Sequence, residues 1–202
     1  MNPPTKPSGK FARWRRRALA TLLVVTVALS IYVVDTIYRA NFHVVVNGEA
    51  YRSGQMNAGE LTHTIQKYGI KSILNLRGEN LTTKWHQAEI ATAAKWDVVH
   101  YDRSLGSGTP LTLEQMDDLV TLLREAPKPV LIHCLGGADR SGLVSALYRF
   151  AIEGQKPDAA DNELSIWYGH VPLIRPKVTA MDDSFWRYAS NHVAHAAPSA
   201  SH

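Results

Sequence analysis

The run His133-Cys134-Leu135-Gly136-Gly137-Ala138-Asp139-Arg140-Ser141 holds the one cysteine of the chain, and its residue types fit displacement at phosphorus by a thiolate. A free thiol is mostly protonated at neutral pH. A helix N-terminus and a nearby arginine lower cysteine pKa values to about 3.5–7.5, which yields a thiolate without a separate base. Cys134 is therefore the expected nucleophile. Arg140, six residues later, can return across a loop to the same centre. Its planar fork can hold two phosphoryl oxygens at once, which the point charge of a lysine cannot. Ser141 is placed to hydrogen-bond the sulfur as it leaves. Gly136 and Gly137 let the backbone curl, so that the amides of the loop from Leu135 through Gly136, Gly137, Ala138 and Asp139 to Arg140 converge on one anion. His133 is expected to orient the loop through backbone hydrogen bonds.

Such a loop needs a strand in front of it and a helix behind it. Pro129-Val130-Leu131-Ile132 is a short apolar run rich in β-branched residues, and Leu143 to Phe150 has helical apolar spacing. The helix N-terminus adds its positive end to the converging amides, which stabilises a phosphate or a thiolate there.

This pattern of His-Cys, five residues and Arg-Ser, with glycine at the third of the five, resembles the cysteine-dependent protein tyrosine phosphatases, in their compact dual-specificity-like bacterial branch. The resemblance implies a two-step, metal-free reaction through a cysteinyl-phosphate, with no cofactor. It also implies an aspartic acid that protonates the leaving oxygen. Asp102 is the first candidate: it follows the strand-like Val98-Val99-His100-Tyr101, enters a loop containing Gly106-Ser107-Gly108, and precedes Cys134 by 32 residues. Asp139, inside the loop, is the alternative general acid, because some lipid-directed relatives carry an aspartate just before the loop arginine. The expected substrate is a phosphorylated protein, phosphotyrosine or dual-specificity. A membrane phospholipid phosphate and a catalytically silent phosphate-binding module are the alternatives. Arg77, in Asn75-Leu76-Arg77-Gly78-Glu79, is expected either to add a second positive contact or to pair with Glu79. Tyr51-Arg52-Ser53-Gly54-Gln55 resembles a segment at the start of bacterial members and is read as structural, and Trp167-Tyr168-Gly169-His170 as core packing.

Composition bounds the rest. One cysteine excludes an internal disulfide and a resolving partner for an oxidised Cys134. Nine histidines lack metal-ligand spacing on a common helix face, so no metal is expected. The net charge of +4 is concentrated at one end, since six of the 22 Lys and Arg lie in residues 1–17 and the remainder balances 16 basic against 18 acidic residues. A nucleic-acid partner is not implied. The basic tail 1–17 leads into residues 18–34, which carry no charge. At helical rise this run is about 26 Å, against about 30 Å for a membrane core. A transmembrane signal anchor is expected over 18–37, with a cytoplasmic N-terminus and a periplasmic or extracytoplasmic catalytic domain.

The elements required to position the loop follow in order. An Asn47-Gly48 turn joins two short strands near residues 43–52. Helices are predicted over 57–68, 83–96, 112–124, 157–167 and 181–192, with strands over 72–76 and 97–101. This alternation argues an α/β fold, a central and largely parallel sheet flanked by helices, in a domain of residues 42–193 followed by a disordered tail 194–202. Sites in such sheets lie beyond the carboxyl ends of the strands, where Cys134 falls.

Overall fold

The structure is a computed structural model that describes residues 9–38 and 40–196. Two compact units divide the chain, Met1–Arg39 and Ala40–His202. The first contains one helix, α1 (Gly9–Tyr38). Residues 9–17 of the expected basic tail thus belong to a helix, and residues 1–8 lie outside the described residues. Every side chain from Lys10 to Tyr32 is exposed. Among the described residues, no helix is long and apolar enough to cross a membrane. The expected signal anchor over 18–37 is therefore corrected: the charge-free run spans only residues 18–34, bounded by Arg17 and Asp35 and interrupted by Thr21, Thr26 and Ser30. The placement of the catalytic domain outside the cytoplasm rested on that span and loses its support with it.

The second unit is built on five strands: β1 (His43–Val46), β2 (Ala50–Ser53), β3 (Ser72–Asn75), β4 (Val99–Asp102) and β5 (Val130–His133). Their order in the sheet is β1-β2-β5-β3-β4. Only β1 runs antiparallel, joined to β2 by the Asn-Gly hairpin, and the other neighbours are parallel. The expected largely parallel sheet is thus a mixed one, with β5 at its centre. All four β5 residues are buried, as a strand covered on both faces requires. The parallel connections are helical, α2 (Ala58–Tyr68), α3 (Lys84–Lys95) and α4 (Leu113–Glu125), and α5 (Asp139–Leu147) follows the last strand and continues as a π-turn through Ile152.

The helix boundaries follow local chemistry. Asn57 accepts from the amides of Gly59 and Glu60 while Glu60 returns to the Asn57 amide, a capping box that opens α2. Gly69, at φ 64°, closes it. Thr112 and Gln115 form the same reciprocal pair on α4. Alternation then sorts the strands. Ile73, Leu131 and Tyr51 pack under α2 and α3 with Leu61, Ile65 and Ala93. Leu74, Val130, Ile132 and Ala50 pack under α4, α5 and α7 (Thr179–Ala196) with Met116, Leu147 and Phe185.

Two predicted elements differ. The helix expected over 157–167 is broken into α6 (Pro157–Ala160) and short 3-10 turns, with Ser165 extended at φ −126° and ψ 161°. The carbonyl of Glu163 accepts from buried Arg52 at 2.7 Å instead of a helical amide. The final helix extends to Ala196, so residues 194–196 of the expected disordered tail are helical; residues 197–202 lie outside the described residues.

Candidate active site

Cys134 follows the central strand directly, and the loop from it to Ala138 meets α5 at Asp139. What shapes the loop is the fate of its carbonyls. Those of Leu135 and Gly136 accept from the Gln55 amide at 3.0 Å and from Asn41 Nδ2 at 3.0 Å. Those of Gly137 and Ala138 both accept from Arg52 Nη2 at 2.9 Å. In a trans peptide the N–H points opposite to the C=O. Four carbonyls drawn toward the scaffold therefore turn the amides of residues 136–139 the other way, into the concavity that Cys134 occupies. Gly137 sits at φ 70°, and a Cβ there would lie 2.6 Å from the Gly54 nitrogen. Only glycine fits this turn against β2.

The thiol is almost wholly buried, and its sulfur lies 3.4 Å from Ser141 Oγ. Burial pushes its pKa up, but the Ser141 hydroxyl, the Arg140 charge and the backbone amides of Ser141 and Gly137 outweigh it, leaving the thiol below its ordinary range. Arg140 Nη1 donates to the carbonyls of Leu76 and Leu105, each at 3.3 Å, which fixes the plane of its fork. The structure thus brings Cys134, Arg140 and Ser141 into one site with the loop amides.

His133 acts through its side chain rather than through the backbone alone. Its Nε2 lies 3.1 Å from Glu89 Oε1 on α3, which is also 2.9 Å from His100 Nε2, while Gln55 Nε2 donates to Glu89 Oε2 at 2.6 Å. Burial raises the Glu89 pKa, but these hydrogen bonds prevail and hold its carboxyl well below the usual range. A buried carboxylate thereby ties the residue before Cys134 to α3.

The two candidate acids lie in different surroundings. Asp102 ends β4 beside Asn75 and shares the α3 side of the sheet with it. Its carboxylate accepts from Asn75 Nδ2 at 2.6 Å and lies 3.2 Å from His86 Nε2, whereas Cys134 packs in the core of the opposite face. Asp139 stands on the loop itself. It lies 2.7 Å from His170 Nδ1 and accepts from both terminal nitrogens of Arg175, at 3.1 and 3.2 Å. His170 Nε2 is in turn 2.9 Å from Asp182. Burial lowers the His170 pKa, but the two carboxylates prevail and raise it. His170 is therefore a buried ion-pair partner, while Trp167, expected in the core, is 82% exposed.

Arg77 does not pair with Glu79. Its guanidinium stacks 3.7 Å above the Trp85 ring and donates to Gln55 at 2.9 Å. Burial and the neighbouring Arg140 lower its pKa while Glu89 and Cys134 raise it, which places a second cation in the field of the loop.

Arg52 has the largest supporting role. It is fully buried, paired with Glu163 at 2.8 Å and lies 4.3 Å from the Tyr168 ring centre. The structural reading of its segment holds, yet its contacts with the loop carbonyls were not legible. The one signal was an arginine within a segment expected to be a strand, and the structure shows all four residues of that strand buried.

A mixed sheet with a Cys-Arg phosphate loop at the end of its central strand defines a cysteine-dependent phosphatase of the dual-specificity-like kind. The chain belongs to the family described as DSP-PTPase phosphatase fused to NAD+ kinase, whose model matches residues 38–171. It is thus a tyrosine/dual-specificity phosphatase-like hydrolase. No curated protein matches the chain. Among solved structures, TpbA from P. aeruginosa is 21% identical with a TM-score of 0.55, covering 74% of this chain and 91% of its own. The core catalytic domain of the PP-IP phosphatase SIW14 from S. cerevisiae is 22% identical with a TM-score of 0.56, covering 75% and 92%. PTPMT1 in complex with PI(5)P is 14% identical with a TM-score of 0.54, covering 77% and 99%. At these identities the likeness concerns the fold.

Proposed function

We propose that residues 42–193 hydrolyse phosphomonoesters, phosphotyrosine first, through a cysteinyl-phosphate. The observation that carries this reading is the Cys134 sulfur, 3.4 Å from Ser141 Oγ, within a loop whose carbonyls are bound outward. The thiolate of Cys134 attacks phosphorus in line with the leaving oxygen. Arg140 and the loop amides neutralise the three equatorial oxygens. Asp139 donates the proton to the leaving oxygen, with the proton of His170 shared behind it across 2.7 Å. Water then attacks the cysteinyl-phosphate, the Asp139–His170 pair accepts its proton, and the Ser141 hydroxyl stabilises the departing thiolate.

The TpbA fold has also been solved in complex with pTyr, which supports an aryl phosphate as the first substrate. A second reading, a phosphoinositide headgroup, is favoured by Arg77, which adds a cation beside Arg140 although the loop's own five variable positions contain no basic residue. The PI(5)P in the PTPMT1 complex is in keeping with it.

The test is release of phosphate from p-nitrophenyl phosphate by the full chain and by Cys134→Ser, with rapid acid quench of the parent to trap phosphocysteine. Turnover lost in the variant and a covalent phosphoenzyme in the parent, absent from the variant, are expected. A folded parent with neither turnover nor phosphoenzyme on aryl phosphates, phosphopeptides or phosphoinositides would leave a phosphate-binding module.

A further inference from the structure

The α3 side of the sheet carries a cluster of two histidines and Asp102 through which the proposed reaction routes no step. His86 comes from the first turn of α3, and His100 and Asp102 are two residues apart on β4, so both point to the face that α3 covers. His86 Nε2 lies 3.2 Å from both carboxylate oxygens of Asp102, and His100 Nδ1 lies 3.6 Å from Oδ2. One ligand atom from each of the three residues falls within 4.8 Å of the others.

We infer that His86, His100 and Asp102 form a binding site for a divalent transition-metal cation of the zinc(II) or cobalt(II) class. Tetrahedral zinc, at bond lengths of about 2.0–2.1 Å, separates its ligand atoms by about 3.4 Å, and the two carboxylate–imidazole distances bracket that value. Two nitrogens and one oxygen suit a borderline metal rather than calcium or magnesium, which take oxygen. The surrounding contacts leave the right atoms free. His100 gives its Nε2 to Glu89 at 2.9 Å, so that its Nδ1 faces Asp102 as a lone pair. Asn75 Nδ2 holds Asp102 Oδ1 at 2.6 Å, leaving Oδ2 directed at both rings. The His86 ring is fully buried, and the rings of Trp85 and His100 set its plane edge-on. The Asp102 side chain is 22% exposed, which provides an entry path and room for water as a fourth ligand.

The sequence offers no motif for this site, because the ligands come from a helix and a strand and share no helical spacing. Through His100, Glu89 and His133 the site is linked to the strand that ends at Cys134, but it shares no residue with the nucleophilic loop.

The experiment uses the full chain carrying Cys134→Ser, which removes the only thiol and with it the competing soft ligand. Cobalt(II) chloride is titrated and its d–d absorption followed, with zinc(II) chloride titrated by calorimetry. One saturable ion per chain is expected, with cobalt absorption of four-coordinate intensity. Zinc is expected to shift the side-chain nitrogen resonances of His86 and His100, which locates the ion without a further substitution. Adding Asp102→Asn, which keeps the size of the side chain, is expected to weaken binding at least 10-fold. Absence of saturable binding overturns the proposal, as does binding that leaves both histidine resonances in place. Failure of the phosphatase reading would appear as absent turnover in the parent chain with Cys134 intact, and would leave these metal signals of the Cys134→Ser chain unchanged.

Discussion

Arg52 Nη2 donates to the carbonyl of Gly137 at 2.9 Å, so a side chain buried on β2 fixes the backbone of the phosphate loop. The same nitrogen reaches Ala138, and Nη1 is held by the backbone and the carboxylate of Glu163. Breaking a buried pair by removing one partner costs about 3–5 kcal/mol, because a charge is left uncompensated. Arg52→Met is therefore expected to destabilise the domain by about that amount in urea titrations. Arg52→Lys retains charge without the fork. It is expected to remain folded at low temperature yet to lose catalytic efficiency, because one ammonium cannot replace the fork's contacts to both loop carbonyls and Glu163. Unchanged kcat/KM in folded Arg52→Lys would remove the loop-setting role.

Gly137 tests the same loop from the other side. A methyl group there meets the Gly54 nitrogen at 2.6 Å and the Ser53 carbonyl carbon at 2.8 Å, both backbone atoms that cannot yield cheaply. The residue also sits at φ 70°, where a side chain is strained. Displacing catalytic groups by about 1 Å costs about 100-fold in rate, and Gly137→Ala should lose at least that in kcat. At Gly136 a Cβ meets open space, so Gly136→Ala should cost much less. Equal losses would show that crowding against β2 is not what demands glycine.

These two cases also show what the sequence conveys and what it does not. The loop that gathers Cys134, Arg140 and Ser141 was legible because their spacing is local, and the strand and helix around them follow from apolar period. The hairpin and the capped helices α2 and α4 were legible for the same reason. Arg52, Asn41, Glu89 and His170 were not, because each acts on a residue at least 31 positions away, across the sheet or between loops. The helix expected over 157–167 failed on one such contact, since Arg52 takes the Glu163 carbonyl. The 18–34 run was legible as apolar, but among the described residues no helix is long and apolar enough to cross a membrane.

Cys134 should titrate below an ordinary thiol. Burial opposes ionisation, but the Ser141 hydroxyl, the Arg140 charge and the loop amides stabilise the thiolate more, so the lowered pKa makes the reactive form available as pH falls below the usual thiol range. The rate of alkylation by iodoacetamide against pH should have its midpoint below that of free cysteine. Ser141→Ala removes one stabilising hydrogen bond and should move the midpoint upward. The same substitution should slow breakdown of the phosphoenzyme, seen as a larger burst relative to steady turnover. A midpoint at the free-cysteine value in the parent would refute the thiolate assignment.

The proton donor can be separated from its rival by leaving group rather than by pH. An aryl phosphate with an acidic phenol departs without much help, whereas an alkyl phosphate needs its oxygen protonated in the transition state, and general acid catalysis supplies about 10²–10⁴-fold. Asp139 lies on the loop with His170 at 2.7 Å, while Asp102 faces His86 on the α3 side. Asp139→Asn is expected to lose about 100-fold or more on an alkyl phosphate and far less on p-nitrophenyl phosphate. His170→Gln, which removes the shared proton but leaves the carboxylate, should show the same selectivity in smaller measure. Asp102→Asn should lower both substrates by a similar factor. If it is Asp102→Asn that selectively spares the activated ester, the acid belongs to β4, and Asp139 serves to shape the loop through His170 and Arg175.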